Sequence, residues 1–361
     1  MNFLKKLKDI SSKFVFYELD KNINLGNIIL KKAFKLPLSK DGINDISLDS
    51  IDINLKKCFI NMGYIIAKDR TSILSKSYMD FIKTISNNDD RVLKSLLSEV
   101  SFKDENNLAS IYGFAISTND VFYYNILGKA LLDLFVETNN VNFLDDSYTM
   151  YLESEKILVS AECYYYLSFI ESEKDEFIKS YDYALKCIEI DDNETYKNLL
   201  LDGMNIIKDR SLIMSAENKV LENDFKNALL ILDDLSLESD RLWKKHICLG
   251  KIYMNLGENV KAIESLKRAL EINPSEVEIY FLLGNLSIAV GDLLKAKEIL
   301  ESGVKLEPLN TKMLKSLSVL YSKISKKEIA VSVLNTVLKI DPKDDEAKNL
   351  FIAIEREIYE N

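Results

Sequence analysis

Histidine and cysteine are scarce in this chain of 361 residues, which holds one of the first and four of the second. A single imidazole, His246, leaves most acid–base and metal schemes without their usual groups. Cys58, Cys163, Cys187 and Cys248 are scattered with no C-x-x-C pair. That argues against a disulfide or zinc framework and fits a reducing compartment. Only four prolines occur and no low-complexity linker, so an ordered chain of short-looped helices is expected. No uncharged run reaches the roughly 18–20 residues of a membrane span, and the first residues lack a secretory apolar stretch with a small-residue cleavage site. The expected compartment is therefore the cytoplasm. The phosphate-binding glycine patterns and the Gly-x-Ser-x-Gly turn are absent as well. With no catalytic constellation, the expectation is a protein that is not an enzyme and uses no cofactor or metal.

Charge is present but uneven. Residues 1–40 hold nine lysines against Asp9, Glu18 and Asp20, an excess of six positive charges, so a net charge of −10 leaves −16 on the remainder. An acidic body disfavours nucleic acid, whose affinity is dominated by neutralising phosphates. Abundant Lys, Ile and Asn with little Arg suggests an AT-rich bacterial genome.

Three of the four prolines, Pro274, Pro308 and Pro342, are evenly spaced. Proline cannot continue a helix, so this spacing marks one supersecondary unit ending repeatedly. Ala262, Ala296 and Ala330 keep the same step, as do Gly250 with Gly284 and Gly257 with Gly291. One block reads His246-x-x-Leu249-Gly250-x-x-Tyr253, Ala262-x-x-x-Leu266, Pro274. The next reads Tyr280-x-x-Leu283-Gly284, Ala296-x-x-x-Leu300, Pro308; the third reads Leu314-x-x-Leu317-Ser318-x-x-Tyr321, Ala330-x-x-x-Leu334, Pro342. In 243–255, Ile247, Leu249, Ile252, Tyr253 and Met254 recur at helical intervals among lysines. Gly250 inside that helix costs about 1 kcal/mol relative to Ala, which points to close backbone approach between paired helices. Gly257 and Gly291 suit a turn that needs positive φ.

These blocks resemble the tetratricopeptide repeat (TPR) family, whose 34-residue unit carries large-x-x-Leu-Gly-x-x-Tyr, Ala-x-x-x-Phe and Pro. The resemblance implies an all-α fold, an α-solenoid (TPR superhelix) of antiparallel helix pairs whose last unit needs a cap. Repeats are expected at 209–242, 243–276, 277–310 and 311–343, with a divergent one at 157–191, where Tyr164, Leu167, Ala184, Cys187 and Ile190 fill the slots. A segment at about 195–208 interrupts the array, and 344–361 is expected to be the capping helix. Residues 1–155 are expected to form an N-terminal helical region, either degenerate helix pairs or a separate helical domain, with helices at 54–68, 71–86, 89–100, 105–118, 120–138 and 141–155. Thr71 and Asp89 suit N-caps and Asn87-Asn88 a break. The domain boundary is placed between 155 and 156.

In the family, the first helix of each pair lines a concave groove that binds protein partners. Carried onto this sequence, the groove slots hold Ile213 and Glu217; Lys244, Ile247, Lys251 and Met254; Phe281, Asn285 and Ile288; and Lys312, Lys315 and Lys323. Five lysines over an apolar floor would suit an extended peptide or helix of acidic character. Ile213 and Glu217 depart from the lysine and asparagine of the chaperone-binding carboxylate clamp. The implied function is a non-enzymatic scaffold or adaptor within a larger bacterial assembly. Two alternatives accompany it. One is a membrane-surface assembly factor of an envelope or flagellar-motor complex at the inner face of the cell membrane. Its anchor would be the basic amphipathic stretch 2–18, with Phe3, Leu7, Ile10, Phe14 and Tyr17 beside Lys5, Lys6, Lys8 and Lys13; the competing reading docks that stretch on the protein's own core. The other is a regulatory or enzymatic activity in the N-terminal helices.

Three features read as structural. His246 with Cys248 could mimic a metal or nucleophile pair, but His246 fills a packing slot. Asp233-Asp234 and Asp344-Asp345 are ordinary at helix ends. Tyr164-Tyr165-Tyr166 reads as core and surface alternation rather than a ligand cage. Residues 38–56 read as a surface loop with short extended pieces, and their aspartates lack a calcium-loop pattern.

Overall fold

The apolar residues before position 20 do not make one amphipathic helix. In the computed structural model, Phe3–Lys6 is a single 3₁₀ turn, α1 (Ile10–Lys13) one helical turn, and β1 (Phe14–Leu19) an antiparallel partner of β4 (Phe34–Ser39). Aromatic and β-branched side chains in Phe14-Val15-Phe16-Tyr17 favour a pleated surface, and a short apolar run satisfies either period. A two-residue pairing of β2 (Asn24–Leu25) with β3 (Ile28–Ile29) lies between them. The structure describes residues 2–7, 9–19, 24–25, 28–29, 34–40, 55–97, 100–190, 194–201 and 203–359. The loop expected at 38–56 lies mostly outside the described residues.

Two compact units make up the chain, Met1–Leu201 and Asp202–Asn361. The boundary expected at 155/156 instead falls inside the first unit, where α6 (Val141–Ile157) packs on α7 (Ala161–Glu173). In that unit β4 lies on α2 (Leu55–Lys68): Asn61 Nδ2 donates to the Pro37 carbonyl at 2.9 Å, and the Tyr78 hydroxyl to the Lys35 carbonyl at 2.6 Å. Proline is tolerated in β4 because the strand is an edge.

α3 (Ile73–Leu96) runs unbroken through Asn87-Asn88, and its N-cap is Ser72 rather than Thr71. Asparagine costs only tenths of a kcal/mol in a helix, and the buried stripe Phe81, Ile82, Ile85, Leu93 and Leu96 keeps one period across the expected break. α2 also packs on α4 (Glu105–Thr118). Gly63 and Gly113 let the two backbones touch: a Cβ on Gly113 would fall inside the Gly63 carbonyl. α5 (Val121–Thr138) pairs with α6, α7 with α8 (Phe177–Glu189), and α9 (Glu194–Leu201) covers both α7 and α8.

The second unit is a row of helix pairs: α10 (Met204–Leu221) with α11 (Phe225–Asp233), α12 (Trp243–Asn255) with α13 (Asn259–Ile272), α14 (Val277–Ala289) with α15 (Leu293–Leu306), and α16 (Thr311–Lys323) with α17 (Lys327–Ile340). α18 (Asp345–Tyr359) covers α17 as the cap, burying Ala347 and Ile354 against Leu314, Leu334 and Val337. Each turn within a pair is built alike. Asn223, Gly257, Gly291 and Ser325 all take positive φ, each one repeat on from the last. The next amide donates back across the turn in a Schellman-type bond, as in Glu258 N to Tyr253 O at 2.9 Å and Asp292 N to Ser287 O at 3.0 Å. The α7–α8 turn has the same form, with Asp175 at φ 58° and Glu176 N donating to Glu171 O at 2.9 Å. The close approach at Gly250 proves to be to a side chain. A Cβ there would lie 2.6 Å from Leu266 Cδ2, and Gly284 repeats the relation with Leu300.

Sterics and torsion separate in three substitutions. Gly113→Ala, opposed by backbone that cannot rotate away, should cost more than about 3 kcal/mol. Gly257→Ala, with open space around it but φ +74°, should cost about 1 kcal/mol. Ser325→Gly should gain about 0.5–1 kcal/mol by relieving the left-handed turn. Urea midpoints compared with the parent chain check all three values.

Candidate partner-binding face

The first helices of the second unit touch in sequence, α10 to α12, α12 to α14, α14 to α16 and α16 to α18, so their outward side chains form one surface. Met254, Phe281, Asn285 and Ile288 lie half-buried on these helices, and Lys312 and Lys323 are exposed. Met254 rests on the core of Leu266, Leu283 and Leu286. Phe281 and Ile288 lean on that of Ala296, Leu300 and Leu317. Lys244 is half-buried, with its ammonium 5.7 Å from the Trp243 ring.

Ile247 is not a groove-floor residue. It is buried against Ala269 and Ile279, where α12, α13 and α14 meet. Ile213 is likewise in the core, with Ala228, Leu232 and Cys248.

The expected lysine-rich charge is compensated from within at two of its five positions, Lys251 and Lys315. Lys251 Nζ lies 2.8 Å from Glu278 Oε1, linking α12 to α14. Lys315 Nζ lies 2.9 Å from Asp344 Oδ2 and 2.5 Å from Glu346 Oε2, linking α16 to the cap. Lys315 is only 14% exposed, so it acts chiefly as a tie for α18. Counting basic slots alone misses Glu278 and Glu346, although Glu278 stands one repeat before Lys312 and is legible as an acidic member of the same column. Glu217 on α10 completes the set. Burial pushes its carboxyl above the ordinary value, and the cations of Lys251 and Lys244 oppose that shift.

His246 is buried, with Nε2 3.1 Å from the Asp240 carbonyl oxygen, and burial lowers its pKa. It fills the packing slot. Among the described residues no group of three His, Cys, Asp or Glu side chains could hold a metal. Cys58 is pushed up by burial to about 11, and Cys163 and Cys248 to about 12, the reverse of an activated thiol.

Helix pairs of constant turn geometry, stacked through their first helices under a terminal cap, define a helical-repeat protein of the α-solenoid class. The sequence places its repeats more narrowly: residues 250–289 match the family model "TPR repeat" and residues 277–308 the model "Tetratricopeptide repeat". The repeats of 250–308 belong to the tetratricopeptide repeat family.

Comparison with curated proteins gave no match. Among solved structures, one similar chain is "YrrB: a TPR protein with an unusual peptide-binding site", 16% identical, covering 64% of this chain and 91% of that one, TM-score 0.29. A second, from "Functional Characterization of Pseudomonas Aeruginosa pilF", is 13% identical, covers 63% and 95%, and has TM-score 0.42. A third, the "First TPR of Spaghetti (RPAP3) bound to HSP90 peptide SRMEEVD", is 18% identical, covers 34% and 96%, and has TM-score 0.31.

The raised Glu217 carboxyl sets a pH dependence. Between 4.5, its value when unfolded, and its higher folded value, the native state binds the extra proton. Its contribution to stability is therefore fully present below 4.5 and is lost as pH rises through the folded value. Glu217→Gln should flatten that decline in a series of melts from about pH 4 to about pH 7.

Proposed function

We propose that this protein is a non-enzymatic scaffold whose first-helix face, on α12, α14 and α16, binds an extended protein segment of acidic character. The supporting observation is the kind of carboxylate that holds Lys251. Glu278 is 45% exposed, on a flexible side chain at the start of α14. A solvent-facing ion pair contributes little, so a carboxylate from a partner can take the place of Glu278 at small cost. Lys312 and Lys323 add exposed positive charge one repeat further on. Met254, Phe281 and Ile288 offer apolar contact between them, the arrangement of a peptide site with polar rims. Buried cysteines with raised pKa values and a packed histidine support the non-enzymatic part of the reading.

Three of the five apolar residues of the membrane-anchored alternative are taken up by the fold. Phe3, Leu7 and Phe14 are buried in the first unit, Phe3 against Tyr112 at 6.4 Å between centroids and Phe14 against Tyr64 at 5.5 Å. Tyr17 falls in β1. Among the described residues no helix is long and apolar enough to cross a membrane. A cytoplasmic bacterial assembly is the setting that agrees with this reading.

The test is an affinity capture from native lysate with the full chain beside a Lys251→Glu, Lys312→Glu variant. Lys315 is left unchanged because its loss would loosen the cap. A partner held by the parent chain and released by the variant is expected, with capture falling as salt rises and strengthening in Glu278→Gln. Equal recovery by both chains would move binding off this face.

A further inference from the structure

The first unit buries two polar side chains whose purpose is to hold a third. Asn125 on α5 is only 8% exposed, and Ser154 on α6 is fully buried. Ser154 Oγ donates to Asn125 Oδ1 at 2.5 Å, and Asn125 Nδ2 donates to Glu162 Oε2 at 3.0 Å, on the first turn of α7. A buried amide and hydroxyl would weaken a helical core if unpaired. Here they form a satisfied relay across three helices that fixes one carboxylate. Glu153, Glu176 and Glu194 of the same unit each pair with a lysine. Glu162 pairs with none among the described residues.

Beside that carboxylate stand three half-buried tyrosines, Tyr165 and Tyr166 of α7 and Tyr196 of α9. Their ring centroids lie 5.1 Å (Tyr165 to Tyr166), 5.3 Å (Tyr165 to Tyr196) and 5.9 Å (Tyr166 to Tyr196) apart. The fully buried Tyr151 stacks under Tyr166 at 4.9 Å and so backs the cluster. The Tyr196 phenol is pushed well above its ordinary value by burial and by the neighbouring Glu162 carboxylate, to which it hydrogen-bonds. Elsewhere the unit already places cations on its tyrosines, with Lys174 4.5 Å from the Tyr148 ring and Lys186 5.0 Å from the Tyr183 ring. No lysine or arginine among the described residues stacks on Tyr165, Tyr166 or Tyr196.

We infer that Glu162 with Tyr165, Tyr166 and Tyr196 forms a docking site for an arginine side chain of a partner polypeptide. A preorganised carboxylate without its own cation, rimmed by aromatic π-systems, is complementary to a positive charge. A guanidinium is flat enough to stack on a phenol while its fork donates to Glu162, whereas an ammonium acts as a point charge. The three rings pack against one another, so a free small cation would stay mostly in water; a polypeptide brings further contact area with it. The site lies in the first unit and stands independently of the lysine-bearing face of the second.

Calorimetry on the full chain tests it with three probes: a tri-arginine peptide, a tri-lysine peptide and N-acetyl-arginine amide. Saturable binding of tri-arginine is expected, weaker by about tenfold in Glu162→Gln, the loss of one charge-assisted hydrogen bond. Glu162→Gln retains an oxygen for Asn125, and Tyr165→Phe, which retains the ring, should bind nearly as the parent does. Tyr165→Leu should bind several-fold more weakly, with circular dichroism confirming the fold of each variant. Unchanged affinity in both Glu162→Gln and Tyr165→Leu would show only non-specific attraction to an acidic protein and overturn the site. Equal affinity for tri-lysine would overturn the guanidinium assignment, and equal affinity for the free amide would overturn polypeptide docking.

Discussion

A helix in a solenoid has to be covered on two sides, and the second unit meets that constraint with one contact used repeatedly. Gly250 admits Leu266, and Gly284 admits Leu300, into the space that a Cβ would fill. The second helix can then lie close enough for Ala262 and Ala296 to be fully buried. That interlock leaves one face of each pair open, which the next pair covers, until α18 covers the last. Dispersion and apolar burial accumulate in this geometry because the backbones approach closely. The left-handed turn at Asn223, Gly257, Gly291 and Ser325 sets the return angle that makes the interlock possible.

The surface of the array follows from the same geometry. First helices that touch in sequence place residues of neighbouring repeats within ion-pair reach, so a lysine on one repeat meets a glutamate on the next. Lys251 with Glu278 and Lys315 with Glu346 are two instances, but the Lys315 ammonium is also held by Asp344, whose side chain is only 12% exposed, so the two lysines differ in burial and therefore in role. A well-covered pair fastens the cap. An open pair can exchange its carboxylate.

In the first unit the same physics works without the regular period. Gly63 and Gly113 bring α2 and α4 to backbone contact, with the long α3 intervening in sequence. The carboxylate of Asp146 accepts from the amides of Asn2, at 2.7 Å, and Phe3, at 3.0 Å, and so seats the first turn of the chain beside α6. Neither contact leaves a local signature. Each joins residues far apart along the chain, which no window of periodicity spans.

The sequence by itself determined the helix pairs of 243–342, their turns and the cap, because each rests on contacts inside a single repeat or between neighbouring ones. Pro274, Gly257 and Ala262 act on neighbours within one or two helices, so their meaning is legible where they stand. The tertiary structure decided whatever depends on distant partners. It turned residues 14–19 into a strand, because β4 was there to accept the hydrogen bonds. It carried α3 through Asn87-Asn88, because the buried stripe outweighed two weak helix formers. It placed Ile247 in the core, and it neutralised Lys251 and Lys315 with carboxylates that belong to the next repeat and to the cap. A charge or an apolar side chain has a local identity, but its availability to a partner is set by what folds against it.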